Sequence, residues 1–338
     1  MLYRPRDVSG TNWTKGGLLV AVLVAAGCPA ESDETGSGTE ANGSTGDIGT
    51  TGTDPSVGTS GPGSTSGIDE SETSAADSSS SGGEATGDPS GGEVCGDIPT
   101  RMMFFGDSLF ACFGQDGKSE SETCSARLSH EYLAENYAPG ATYENLAVSG
   151  AVTRDVVNMQ LPGAPVGMPG HTLVVVWVGG NDISPLLLQS DAAAEDAYRN
   201  DLAPEFETLW DNIEAWVDDP ANFPDGATLV VNTQFNPFDD CSADPFAFMS
   251  PLKTQLLTEY NDTLRARVDA RPDTYLSDQY PVFLGHGHHF GTEGCPNYAE
   301  GSAYWMLGGA DLVHPNGLGH VSIAGTLNGA LDEVFACE

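Results

Sequence analysis

Basic side chains are scarce in this chain. Lys and Arg number 12 against 49 Asp and Glu in 338 residues, a formal net charge of −37. Nucleic acid and anionic membrane patches are held by clusters of cationic side chains, so neither suits a surface this acidic. From Glu31 to Glu93 there is no Lys, no Arg and no aromatic residue; Gly, Ser, Thr, Asp, Glu, Ala and Pro make up nearly all of it. Such a tract cannot bury enough apolar surface to offset the entropy of ordering its backbone. A packed domain is therefore expected from about Cys95 onward, long enough for one α/β core. There is no Cys-x-x-C pair, which speaks against a zinc-ribbon or thioredoxin-like role, and no internal repeat.

The N-terminus carries an address. Arg4, Arg6 and Lys15 precede the apolar run Leu18–Ala26, which is too short to span a bilayer but suits the core of a signal peptide. The run ends in Val24-Ala25-Ala26-Gly27-Cys28, which resembles a bacterial lipobox, with Ala25 where Leu is usual. That resemblance implies a signal peptide over residues 1–27 and a lipidated Cys28. Residues 28–94 would then be a flexible linker holding the domain of residues 95–338 off a membrane. Ordinary signal cleavage and an uncleaved anchor are the alternatives. The expected location is outside the cytoplasm, either membrane-anchored or secreted.

Six cysteines remain: Cys95, Cys112, Cys124, Cys241, Cys295 and Cys337. An even number in an exported domain points to disulfides, in many possible connectivities. The expected pairs are Cys95 with Cys337, Cys112 with Cys124, and Cys241 with Cys295.

Within the domain, Arg101–Phe105 and Thr172–Val178 read as strands whose unbroken apolar character suits burial on both faces. Thr142–Val148, Ala227–Asn232 and Thr274–Leu276 complete a set of five. Helical tracts are expected over Ser125–Tyr137, Val152–Gln160 (stopped before Pro162), Asp191–Val217 (broken at Pro204), Pro251–Ala270 and Gly317–Phe335. Strands alternating with helices predict an α/β domain with a mainly parallel sheet. Its chemistry belongs beyond the carboxyl ends of the strands.

Four short motifs fall there. Gly106-Asp107-Ser108-Leu109 follows the first strand and offers a hydroxyl nucleophile at a turn. Gly150 follows the second strand and can present a bare backbone N–H to an oxyanion. Gly179-Gly180-Asn181-Asp182 follows the third, with the Asn181 amide as a further oxyanion donor. Asp311-Leu312-Val313-His314 precedes the last helix; His314 can take a serine's proton while Asp311 fixes its tautomer. Each motif alone also reads as an ordinary turn or helix cap.

Taken together and in this order, the motifs resemble the SGNH or GDSL hydrolases, from about Arg101 to the C-terminus. The resemblance implies a flavodoxin-like three-layer α/β/α fold with a mainly parallel five-stranded sheet. It implies Ser108 as nucleophile, His314 as base and Asp311 as its orienting acid. The N–H groups of Ser108 and Gly150 and the Asn181 side chain would form the oxyanion hole. No metal or organic cofactor is implied. The expected activity is carboxylester hydrolysis through an acyl-enzyme, on a small-molecule, lipid or glycan ester, by a monomer. A non-catalytic surface lipoprotein that keeps the fold as a binding module is the alternative. The domain has no Gly-x-Ser-x-Gly elbow, which disfavours the α/β-hydrolase fold.

His286, His288 and His289 crowd one Gly-rich stretch. Zinc binding is one reading of them and a plain loop is the other. His320 reads as structural or surface, and Trp177 as core. Phe110 and Phe113 are candidates for either an acyl pocket or the core. Phe235–Asp240 and Phe246–Pro251 could form a rim that selects substrate.

Overall fold

The computed structural model describes residues 97–113, 123–243, 249–309 and 311–336. The export segment, Cys28, the linker and the expected Cys95–Cys337 pair lie outside them.

Five parallel strands form the main sheet: β1 (Arg101–Gly106), β2 (Thr142–Asn145), β3 (Thr172–Trp177), β4 (Ala227–Asn232) and β5 (Thr274–Ser277). Their order is β2-β1-β3-β4-β5, the flavodoxin-like arrangement. Met102 sits between Tyr143 and Leu173, which sets the register around β1. All residues of β1 and β3 are buried, because alternate side chains enter two separate layers. Phe104, Val175 and Trp177 face α1 (Ser125–Asn136) and the C-terminal helix Gly317–Phe335. Phe105, Val176 and Val231 face the helices Ala203–Val217 and Pro251–Asp269. In chain order these three later helices are α2 (Ala203–Val217), α3 (Pro251–Asp269) and α4 (Gly317–Phe335). Each fully buried large side chain contributes about 1.5–3 kcal/mol, so this two-sided burial makes the sheet a main source of stability.

Several elements depart from their expected bounds. β2 stops at Asn145 because the Asn145 side chain takes the N–H of Ala147, two residues on, and turns the chain. The helix expected to stop before Pro162 runs past it, and the tract expected to break at Pro204 continues through it. A five-residue π-helical stretch precedes each proline, Val156–Gln160 and Tyr198–Leu202, and the chain continues through Leu161–Gly163 and through α2. The wider turn accommodates a residue that has no N–H and would clash with the carbonyl four residues back.

A two-stranded antiparallel ribbon, β6 (Met306–Gly308) and β7 (Asp311–Pro315), stands where only a turn was expected. The disulfides Cys112–Cys124 and Cys241–Cys295 are formed as expected, with Cα–Cα distances of 5.3 and 5.4 Å. Among the described residues, no helix is long and apolar enough to cross a membrane.

Candidate active site

The sheet order reverses between β1 and β3, and the loops leaving these two strands open a crevice at their carboxyl ends. β1 terminates at Gly106 with φ of +143°; a Cβ there would lie 1.9 Å from the Trp177 carbonyl oxygen, so only glycine fits. The Gln160 side chain closes the same point, accepting from Gly106 N at 2.9 Å and donating to Gly106 O at 2.8 Å. The chain then turns tightly, with Ala111 N donating to Asp107 O and Phe113 N to Ser108 O, both at 3.0 Å. Ser108 thus leaves a buried strand on a cross-tied turn.

His314 Nε2 lies 2.8 Å from Ser108 Oγ across 206 positions of sequence. His314 Nδ1 lies 2.8 Å from Asp311 Oδ2. Asp311 Oδ1 accepts the backbone N–H groups of Val313 and His314, at 3.1 and 3.0 Å. Burial alone would push the Asp311 carboxyl up; the bonds from His314 and Val313 outweigh it and hold it below the usual range, so it stays ionised. The ribbon aims the histidine. Asp311 pairs with Gly308 and Pro315 with Met306, leaving Leu312, Val313 and His314 opposite Leu307 alone. Such a bulge redirects a side chain out of the ladder.

Asn181 sits in the short helix Gly180–Ile183 directly after β3. One hydrogen of its Nδ2 is taken by Ala151 O at 2.9 Å, which leaves the second for the cleft that Asn181 lines with Ser108 and His314. Gly150, exposed and at φ of +83°, immediately precedes that carbonyl. The two loops are tied again where Asp182 Oδ2 accepts from Thr153 N and Oγ1, at 3.0 and 3.1 Å. Burial raises the Asp182 carboxyl to about 6 and the Asp107 carboxyl to about 7. For Asp107 the Leu109 N–H, 3.0 Å from Oδ1, and nearby His314 offset part of that rise.

The cleft has a volume of about 80 Å³ and its wall is mostly apolar: Leu109, Ile183, Leu187, Phe235, Met249 and Leu257. Phe110 belongs to the core, and Phe113 packs on the His314 ring with centroids 4.3 Å apart. Phe235 and Pro237 line the cleft, in keeping with the expected rim, as does Met249; residues 244–248 lie outside the described ones.

A family model described as GDSL-like Lipase/Acylhydrolase matches residues 102–326, more than half of the chain. This chain belongs to the GDSL-like lipase/acylhydrolase family. An extracellular lipase from Streptomyces rimosus resembles it at 21% identity and a TM-score of 0.48, covering 68% of this chain and 99% of that one. A phospholipase A1 from Streptomyces albidoflavus does so at 21% identity and a TM-score of 0.47, covering 69% and 99%. An acetyl xylan esterase from Geobacillus stearothermophilus matches at 16% identity and a TM-score of 0.40, covering 72% and 99%. No curated protein matches the sequence.

In this GDSL-family chain the three clustered histidines do not converge on one point. His286 Nδ1 meets Ala303 O at 2.8 Å and its ring stacks on Trp305. His288 Nε2 meets Leu312 O at 3.0 Å. His289 is buried, with Nδ1 2.9 Å from Phe238 O. Among the described residues the one group with metal-ligand spacing is Cys241, His289 and Cys295, and its two sulfurs are bonded to each other. His320 is buried behind the site with Nδ1 3.2 Å from Ser125 Oγ. The sequence reading passed over Gln160, Gln234 and the short helices Gly180–Ile183 and Ser184–Leu188, which complete the turn and the cleft. The partners of Gln160 and Gln234 lie 54 and 56 positions away, so no local pattern announces them.

Proposed function

We propose that this chain is a carboxylester hydrolase that works through a serine acyl-enzyme. The observation that carries the reading is the 2.8 Å separation of His314 Nε2 and Ser108 Oγ, with Asp311 2.8 Å behind the ring. His314 Nδ1–H donates to the Asp311 carboxylate, which leaves Nε2 as the acceptor facing the hydroxyl. As Ser108 Oγ bonds to an ester carbonyl carbon, its proton passes to His314 Nε2. The carbonyl oxygen becomes an oxyanion, met by Asn181 Nδ2 and the N–H groups of Ser108 and Gly150; each such donor is worth about 3–4 kcal/mol. His314 then returns its proton to the departing alkoxide, and the alcohol leaves an acyl-Ser108. Water, deprotonated by the same ring, releases the acid and restores the hydroxyl.

The apolar cleft favours esters with an uncharged, apolar acyl part over anionic ones. The N-terminal apolar run and Cys28 support export with a lipid tether, and the acidic linker supports a domain held away from the membrane.

The decisive test compares the purified protein with Ser108→Ala on 4-nitrophenyl acetate. The expected loss in kcat is about 10⁴-fold or more. Equal turnover by the two proteins would abolish the proposal. Absence of turnover in both, on short and medium acyl esters alike, would favour a binding module.

A further inference from the structure

We propose that His288, in the histidine-rich loop, is a positioning residue for the His314–Asp311 pair. This rests on the serine-hydrolase reading above. Where β7 bulges, Leu312 has no partner of its own in the two-residue register of the ribbon. Its carbonyl, between Asp311 and His314 in the chain, faces His288 Nε2 at 3.0 Å. His288 Nδ1 lies 3.0 Å from the Tyr304 hydroxyl. A neutral imidazole with its proton on Nε2 satisfies both contacts: Tyr304 O–H donates to Nδ1, and Nε2–H donates to Leu312 O. Burial holds the His288 ring below its ordinary value, against the pull of Leu312 O, Asp239 and Asp311, and so keeps it neutral.

The loop that carries His288 is itself anchored. Buried Asp239 accepts from Gly285 N, Gly287 N and His289 N at 3.0, 2.7 and 2.8 Å. His288 N donates to Pro237 O at 2.8 Å. Gly287 leaves no room for a side chain, since a Cβ would lie 2.4 Å from Pro237 O. Just past β7, Asn316 Nδ2 donates to Tyr304 O and Met306 O, and Asn316 N to Trp305 O. The peptide of Leu312 is thus gripped from the loop, while the end of β7 is gripped from the segment before β6. A displacement of about 1 Å at a reacting group costs about 100-fold in rate, so a brace on this peptide governs turnover more than substrate binding.

The experiment measures kcat and KM with 4-nitrophenyl acetate, and the melting temperature, for the full-length protein. His288→Phe keeps a ring against Phe238 but has neither donor nor acceptor. It should lose about 10–100-fold in kcat with KM little changed. His288→Gln, whose Nε2 can still donate to Leu312 O, should recover most of kcat. Tyr304→Phe, which frees the tautomer, should lose less than His288→Phe and in the same direction.

Wild-type kcat in His288→Phe would overturn the proposal, and so would equal losses in the Phe and Gln variants. Should His288→Phe fail to fold, Tyr304→Phe and His288→Gln decide: an unchanged kcat in Tyr304→Phe overturns it. Ser108→Ala is run beside them. Turnover surviving there removes the underlying reading and the brace with it. Its loss there with an indifferent His288→Phe removes the brace alone.

Discussion

Ser108 follows an interior strand whose six residues are all buried between two helical layers, whereas Asp311 and His314 stand on a short ribbon with a bulge. On the first side, placement comes from packing: Phe104 and Phe105 enter opposite cores, and Gly106 lets the backbone pass against Trp177. On the second side there is little core to push against, and placement comes from directed bonds, through Asn316, His288 and Asp239. Packing is spread over many contacts and tolerates the loss of a few. Directed bonds are few, so each carries more of the geometry. The two sides should therefore fail differently when damaged.

The largest effect is expected on the packed side, at the one position where packing has no slack. Gly106→Ala puts a Cβ 1.9 Å from the Trp177 carbonyl at φ of +143°. Either β1 and β3 separate or the turn before Ser108 is lost, and a cost above about 4 kcal/mol is expected. Gly150→Ala is the control. Its φ is also positive, but nothing lies within 4 Å of the added Cβ, so only the backbone penalty of about 1–2 kcal/mol applies. Urea unfolding of the two variants measures the difference. Equal midpoints would mean that β1 is not held by close approach to β3.

A smaller effect separates the two sides through their disulfides. Cys112 and Cys124 are 12 positions apart and lie beside the Ser108 turn; Cys241 and Cys295 are 54 apart and tie the Asp239 segment to the chain beyond the histidine loop. Chain entropy gives about 3 kcal/mol for the shorter loop and about 4 kcal/mol for the longer one, so their losses in stability should be similar. Activity should not be. Replacing Cys112 and Cys124 by Ser should leave kcat near that of the parent, because the sheet still places Ser108. Replacing Cys241 and Cys295 should lower kcat by about tenfold, because the support of Leu312 loosens with the loop. Equal kcat in the two double variants, measured well below both melting points, would show that the ribbon is held without this loop.

The same division explains what the sequence discloses. The buried strands are legible because burial on both faces leaves an unbroken apolar run, as in Thr172–Trp177. Ser108, Asn181, Asp311 and His314 are legible because each stands in a polar break beside such an element, and Asp311 reaches its histidine within three residues. The supports of those residues are not legible. Gln160 closes on Gly106 from 54 positions away, and His288 reaches Leu312 over 24. The ribbon has three residues facing one, so its strands show no period of two. The π-helical turns before Pro162 and Pro204 are hidden for a related reason. A proline marks a break in the regular helix but does not say whether the chain ends there or widens to pass.

The smallest expected effect concerns two buried ionisable groups, one on each side of the site. Asp107 directly precedes Ser108; burial raises it from 3.8 to about 7, so the folded chain keeps a proton that the unfolded chain has released. Its contribution to stability therefore declines as pH rises between those values. His320, buried in α4 behind His314, is lowered from 6.5 to about 4, so here the unfolded chain holds the proton, and stability rises with pH over that window. The two slopes oppose each other across most of the same range. Asp107→Asn should remove the falling contribution, steepening the rise of melting temperature from acid toward neutral pH. His320→Asn should remove the rising one and tilt the curve the other way, whatever its offset from the loss of the Ser125 contact. With relaxation of the surroundings, each change should be worth about 1–2 kcal/mol across the window. Thermal melts at half-unit steps of pH read the slopes directly. Three parallel curves would mean that each group titrates alike in the folded and the unfolded chain, so that neither burial shifts its proton binding.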